Sequence, residues 1–290
     1  MIIGMVHTVF IMCLAVTAVD SFLPGDGPRR SLRLKLSPQQ LGTFEKLTID
    51  HDDSSPRTVQ LFDWSGRDPV DFNDGWNFQK YLMSNHLNRL TGDHADANQQ
   101  QECELGQFGG FDSVVMLQHA AVFTLGTGSS PDFVLSDSVP VVRMDRGGEV
   151  TYHGPGQLVV YPVIDLRGYK QDIHWYMRAL EETILLALKK AGIQNAVRED
   201  EVTGVWVDHR KVAALGIKAR RWITQHGLAV NVTPESLQNF RGIVPCGLEG
   251  REVTCVNDHL PQPISVRDFA ELMQEALEEV FCIRMVAAES

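Results

Sequence analysis

The stretch QLVVYPVIDL, residues 157–166, limits the fold more than any other part of the chain. Read as a strand, it puts Val159, Tyr161 and Val163 on one face and Leu158, Val160 and Ile164 on the other. Successive side chains of a strand alternate between faces, so both faces here are apolar. Such a strand needs cover on both sides and belongs in the middle of a sheet with packing layers above and below.

The covering layers are legible too. DIHWYMRALEETILLALKKAG (172–192) has Ile173, Tyr176, Met177, Leu180, Ile184 and Leu188 on one helical face, Asp172 to cap its start and Gly192 to stop it. DGWNFQKYLMSNHLNRL (74–90) offers a second apolar face through Trp76, Phe78, Leu82, Leu87 and Leu90. SVRDFAELMQEALEEVF (265–281) is amphipathic and opens with the capping pair Ser265 and Asp268.

Further strands are expected at 113–119 and 121–126, as two strands or one with a bend, at 139–145, in a hairpin turning at Asp208–His209–Arg210, and in a bent strand or strand pair at 222–232. Without an internal repeat, this pattern defines an α+β (mixed α/β) single domain with helices packed on a sheet.

With 290 residues and 43% hydrophobic content, the chain supports one large domain with a leader. Residues 1–21 read as a signal-like leader, short, apolar and lacking a basic start. Residues 22–57 read as a transit-like and linker segment, with Arg29, Arg30, Arg33 and Lys35 in its first half. The globular domain is expected at 58–286, with a polar insert at 91–106. A signal followed by a basic transit stretch points to the plastid of an alga with a bipartite leader; a mitochondrial leader is the alternative.

A net charge of −11 argues against nucleic acid as partner, and no stretch beyond the first twenty residues is apolar enough to span a membrane. The five cysteines form no CxxC pair and no dense framework, which fits free thiols in a reducing compartment.

Three stretches carry candidate chemistry. RGGEVTYHGPGQLVVYP, from Arg146, has four glycines just before the central strand. Gly147–Gly148 and Gly154–Pro155–Gly156 permit close approach of a ligand to backbone amides, with Thr151, Tyr152 and His153 on the same surface. The spacing fits neither a dinucleotide fingerprint nor a P-loop, and a plain glycine-rich turn explains it equally well. In RKVAALGIKARRWITQHGLAVNV, Lys211 opens an apolar strand, where a partly desolvated amine can exchange protons or simply snorkel to solvent. In FRGIVPCGLEGREVTCV, Cys246 stands between Pro245 and Gly247 on a turn that exposes a thiol, whereas Cys255 and Cys282 read as buried apolar residues. Metal-ligand spacings and the G-x-S-x-G elbow are missing.

Together RGGEVTYHGPGQLVVYP, HRKVAALGIKARRWITQHGLAVNV and IVPCGL resemble the lipoyl(octanoyl) transferases, most closely the cyanobacterial and plastid branch, from about Val114 to Val256. That resemblance implies the fold of the biotin and lipoate protein ligase catalytic domain, a central mixed sheet flanked by helices. It also implies transfer of an octanoyl group from octanoyl-acyl carrier protein to one lysine of a lipoyl domain, as the first step of endogenous protein lipoylation. The acceptors would be 2-oxoacid dehydrogenase E2 subunits and the glycine cleavage H protein, with no cofactor and no metal. By the same resemblance, Cys246 matches the acyl-thioester nucleophile and Lys211 the lysine that activates it and shuttles protons. Arg146, Gly147, Gly148, Glu149, Val150, Thr151, Tyr152 and His153 match the substrate-binding loop. Ala214, Leu215, Gly216, His226, Gly227 and Leu228 match two further acyl-site segments. Leu215, Val150 and Leu228 are expected to wall a tunnel, and Arg210, Lys218, Arg220 and Arg221 to offer a basic patch to an acidic carrier. Where the family often has His-Pro-Pro, this chain has His119–Ala120–Ala121. Two alternatives share the fold: an ATP-dependent lipoate or biotin ligase, which has no need of Cys246, and a non-catalytic carrier-binding module.

Overall fold

The computed structural model describes residues 56–91, 112–199, 202–244 and 252–288. The leader, the linker up to residue 55, most of the polar insert, and Cys246 lie outside these residues.

The expected central strand is central. It is β6 (Gln157–Val163), buried at every position. It stands fourth in a seven-stranded sheet of order β10-β1-β2-β6-β9-β8-β7. The other strands are β1 (Arg57–Asp63), β2 (Ser113–Leu117), β7 (Val205–Val207), β8 (Arg210–Arg220), β9 (Ile223–Asn231) and β10 (Ile283–Ala287). The β10–β1 and β1–β2 pairs are parallel, and the remaining pairs are antiparallel. The sheet is mixed, as the resemblance implied.

Two helices cover one face. α2 (Ile173–Ala191) is capped by the Asp172 carboxylate and stopped by Gly192 at φ 108°. α3 (Val266–Phe281) starts where the Ser265 hydroxyl accepts the Asp268 amide. They bury Tyr176, Leu180, Phe269 and Met273 against Leu158, Val160 and Val230. α1 (Phe72–Thr91) covers the other face, with Leu82 and Met83 against Val159, Tyr161 and Val163. This helix corrects the expected face. Its buried line includes the polar Gln79 and His86, while Leu90 is exposed. Gln79 is drawn inward because its carbonyl accepts a strand amide from β9.

The remaining strands form as expected, with the turn of the hairpin one residue shorter. The strands at 113–119 and 121–126 belong to different sheets: β2 joins the large one. β3 (Val122–Leu125) joins a three-stranded sheet with β4 (Val141–Arg143) and β5 (Val150–His153). The β7–β8 turn is Asp208–His209 alone, both at positive φ, and Arg210 already belongs to β8. Paired left-handed residues match the right-handed twist of the flanking strands. Of the two readings of 222–232, the bent strand holds: residues 223–231 are one strand with a bend.

A buried carboxylate ties the sheet's parallel edge to its centre. Asp112, 4% exposed at its side chain, accepts the Asp165 amide (2.8 Å) and the Tyr169 hydroxyl (2.9 Å) and faces Arg57 at 3.5 Å. Burial pushes its pKa up, against these partners. Asp112→Ala removes the acceptor of the half-buried Asp165 amide and Tyr169 hydroxyl and the partner of Arg57. The expected loss is on the order of 3 kcal/mol in urea denaturation, with Asp112→Asn losing less because it keeps an acceptor.

Candidate active site

β8 and β9 form the floor of the site. In their register Ala214 faces Ala229 and Gly216 faces Gly227. Two consecutive pairs of small residues leave a trough on a sheet that is otherwise closely packed. Above it lies a cavity of about 190 Å³. Phe72 of α1, Val159 and Tyr161 of β6, and Met144, Glu149 and Thr151 from the small sheet and its loop enclose it. Lys211, with Val202 and Thr203, borders it as well. Lys211 and Gly216 are five residues apart on one strand, so the cavity extends about 16 Å along β8. Leu215 and Leu228 border the cavity, but strand alternation sends their side chains into the core under α2 and α3. The trough is thus shaped by alanine and glycine, where leucine walls were expected.

The glycine-rich loop crosses this floor. The Gly147 amide donates to Ile217 O at 3.3 Å, and Gly148 takes φ 93°. Arg146 is 7% exposed; its guanidinium donates to Gly147 O (2.9 Å), Glu149 O (3.2 Å) and the Thr124 hydroxyl (2.9 Å). Arg146 therefore sets the shape of the loop from inside. Gly126 is a loop contact the sequence reading missed: a Cβ there would sit 1.8 Å from Gly148 O. Gly147 and Tyr152 do not border the cavity. Tyr152 points the other way, edge-on to Phe123 and Phe240, because it alternates with Thr151 and His153 along β5.

His226 owes its place to a proline. Pro162 stands inside β6, where it can give no ladder hydrogen bond, and a central strand rarely tolerates that. β9 bends around it. His226 adopts φ 62°, and its amide, turned out of the ladder, donates to Gln79 Oε1 at 2.9 Å. The Thr224 hydroxyl donates to Pro162 O (2.8 Å) and accepts the Ile164 amide (3.0 Å), closing the break. The bend brings the His226 ring to Asp145, with Nε2 and Oδ1 3.0 Å apart. Asp145 also pairs with Lys218. Lys218 thus holds the loop and is not part of an open basic patch.

Burial dominates the titration of this region. It lowers His153 to about 3 and His119 to about 4. It also lowers His226, against the pull of Asp145. Burial pushes the Asp145 carboxyl up, but the hydrogen bonds and charges of His226 and Lys218 outweigh it and hold it well below the carboxylate range. Unfolded histidine titrates near 6.5 and aspartate near 3.9. Histidines held neutral stabilise the fold fully above about 6.5 and lose that contribution as pH falls toward the folded values. Asp145 stabilises above about 3.9 and loses its share below. The urea midpoint is therefore expected to fall steadily from pH 7 to pH 4.5, and less steeply in His119→Gln. Equal slopes in both proteins would contradict the assignment.

Lys211 is held at both backbone positions. Its amide donates to Glu252 O at 2.9 Å and its carbonyl accepts the Thr254 amide at 3.0 Å. Its Nζ lies 5.2 Å from the centre of the Trp206 ring. On the other side, the Val244 amide donates to Phe133 O at 2.9 Å, under the small sheet. Glu252 thus lies next to Lys211. Of the remaining residues expected from the sequence, Arg146, Gly148, Glu149, Val150, Thr151, His153, Ala214, Leu215, Gly216, His226, Gly227 and Leu228 all border the one cavity. Phe72, Met144 and Tyr161 were missed. Tyr161 had a visible signal, as the lone polar ring in an apolar central strand.

A mixed sheet, a small-residue trough, a glycine-rich loop over it and a lysine beside it together form one candidate site. The family model described as the lipoyl protein ligase A/B catalytic domain matches residues 71–278. A chloroplastic octanoyltransferase of Arabidopsis thaliana is 38% identical over 259 residues, covering 85% of this chain and 87% of that protein. An octanoyltransferase of Prochlorococcus marinus is 41% identical over 242 residues, covering 82% of this chain and 93% of that one. Among solved structures, a bipartite lipoate protein ligase from Thermoplasma acidophilum shares the fold, with a TM-score of 0.53 at 15% identity over 81% of this chain and 86% of that one. The chain belongs to the lipoyl protein ligase A/B catalytic-domain family. Within it, the similarity to octanoyltransferases places it among the acyltransferase enzymes.

Proposed function

We propose that this protein moves an octanoyl group from octanoyl-acyl carrier protein to a specific lysine of lipoyl domains, through a thioester on Cys246. The observation that carries the reading is the convergence of Lys211, the alanine–glycine trough and the glycine-rich loop on one cavity. Cys246 lies outside the described residues, and its pairing with Lys211 rests on the sequence resemblance.

The chemistry is self-sufficient. A free thiol titrates near 8.5, so a few per cent is thiolate at neutral pH, and a neighbouring ammonium raises that fraction. The thiolate attacks the octanoyl thioester of the carrier, and the departing carrier thiolate takes a proton from the Lys211 ammonium, which is left neutral. One thioester replaces another, so no ATP is needed. The acceptor amine then attacks the enzyme thioester, the Cys246 thiolate leaves, and the amine proton passes to neutral Lys211. Loop amides are suited to hold the oxyanion. The trough takes the octanoyl chain, and the glycines of the loop keep bulky side chains out of its way.

The acceptors are E2 subunits of 2-oxoacid dehydrogenases and the glycine cleavage H protein, and the plastid is the compartment. Incubation with octanoyl-acyl carrier protein and a lipoyl domain, without ATP, is expected to octanoylate the domain. Modification only with ATP and free octanoate would favour the ligase alternative.

A further inference from the structure

A row of buried polar groups lies at one end of the central strands of the large sheet. Gln157 on β6 and Asn231 on β9 are register partners, 2% and 4% exposed, and Thr254, fully buried, lies next to them. None belongs to the loop or to the reacting pair.

The donor and acceptor sense of the row is fixed by two backbone carbonyls. Asn231 Nδ2 donates to Thr254 O at 3.1 Å, because a carbonyl only accepts. Asn231 Oδ1 must then face Gln157, whose Nε2 donates to it at 3.0 Å and to Tyr152 O at 3.1 Å. That turns Gln157 Oε1 toward His153, 2.7 Å from Nδ1. The oxygen only accepts, so His153 carries its proton on Nδ1. Nε2 is left as a bare acceptor, without a hydrogen-bond partner among the described residues, on a ring that borders the cavity and stacks on Phe72 at 6.1 Å. At its other end the row bonds the backbone of Lys211 through the Thr254 amide. A neutral histidine otherwise populates both tautomers, so such a lock decides what the ring offers a substrate.

We propose that Gln157 and Asn231 are positioning residues that lock His153 as its Nδ1–H tautomer, so that Nε2 accepts a hydrogen bond from the amine attacking in the cavity. This rests on the transferase reading. His153 takes a hydrogen bond and no proton, so it orients the amine while the proton leaves by Lys211.

The test uses the full chain with ¹⁵N-labelled histidine, His153 being assigned by the signal lost in His153→Gln. Wild-type His153 is expected to show a protonated Nδ1 and a bare Nε2 at neutral pH. Gln157→Leu is expected to lose that signature and to lower kcat for transfer to the lipoyl domain at least about tenfold, with KM for the acyl donor and thioester formation unchanged. A wild-type ring protonated on Nε2 overturns the proposal by itself, even where Gln157→Leu does not fold. So does a folded Gln157→Leu with unchanged kcat, or one that is slow while its His153 keeps the wild-type signature. Absence of any acyl transfer by wild type would defeat the transferase reading, and the tautomer would still be measurable.

Discussion

Gly227→Ala is expected to destabilise the protein by at least about 3 kcal/mol, the upper range for forcing extra volume into a packed core. A Cβ at this position would lie 2.3 Å from Val160 O and 2.7 Å from Pro162 Cδ. Both atoms belong to the central strand, which is hydrogen-bonded to β2 on its far side and buried on both faces. Neither can retreat as the end of a flexible side chain would. The site depends on the same contact, because the bend around Pro162 aims His226 at Asp145. Gly216→Ala is the control. Its Cβ would meet Arg146 Cδ at 3.1 Å and Gly147 O at 3.3 Å, a contact with the loop and not with the sheet. It should cost much less stability and still slow transfer by displacing the loop. Urea denaturation of both variants decides; equal stability would show that β6 yields at Pro162 after all.

Lys211→Met is expected to lower the transfer rate by about 10²–10⁴-fold, the usual contribution of a positioned acid–base group. The fold should survive, because methionine keeps the stem beside Trp206 and the backbone bonds to Glu252 and Thr254 do not involve the side chain. Activity should recover in part as pH rises toward about 8.5, where a thiol ionises without help. Single-turnover rates between pH 6.5 and 9 test this. A variant as fast as wild type at pH 7 would remove Lys211 from the chemistry.

Much of the frame could be read from short-range pattern. Asp172 and Gly192 bound α2 as their residue types require, and the two apolar faces of 157–163 announce the central strand. What could not be read depends on distant partners. Gln79 looks like a solvent residue on its own helix and is buried because it accepts an amide 147 residues away. Asp145 and His226 are 81 residues apart, and nothing local to either marks the pair. β10 has only alternate positions buried and takes its register from β1, at the opposite end of the domain. At the site, the segments were legible as glycine and small-residue motifs. Which side chains enter the cavity was decided by strand alternation, which sent Tyr152, Leu215 and Leu228 elsewhere. Cys246, the centre of the proposed chemistry, lies outside the described residues and rests on the sequence resemblance.

The central claim is a thioester on that cysteine. The protein, without its leader, is mixed with octanoyl-acyl carrier protein in the absence of ATP, and its intact mass is measured. A gain of one octanoyl group, removed by hydroxylamine and missing in Cys246→Ser, is the predicted result. An unmodified wild-type protein that nonetheless octanoylates a lipoyl domain, or an adduct that persists in Cys246→Ser, would contradict it.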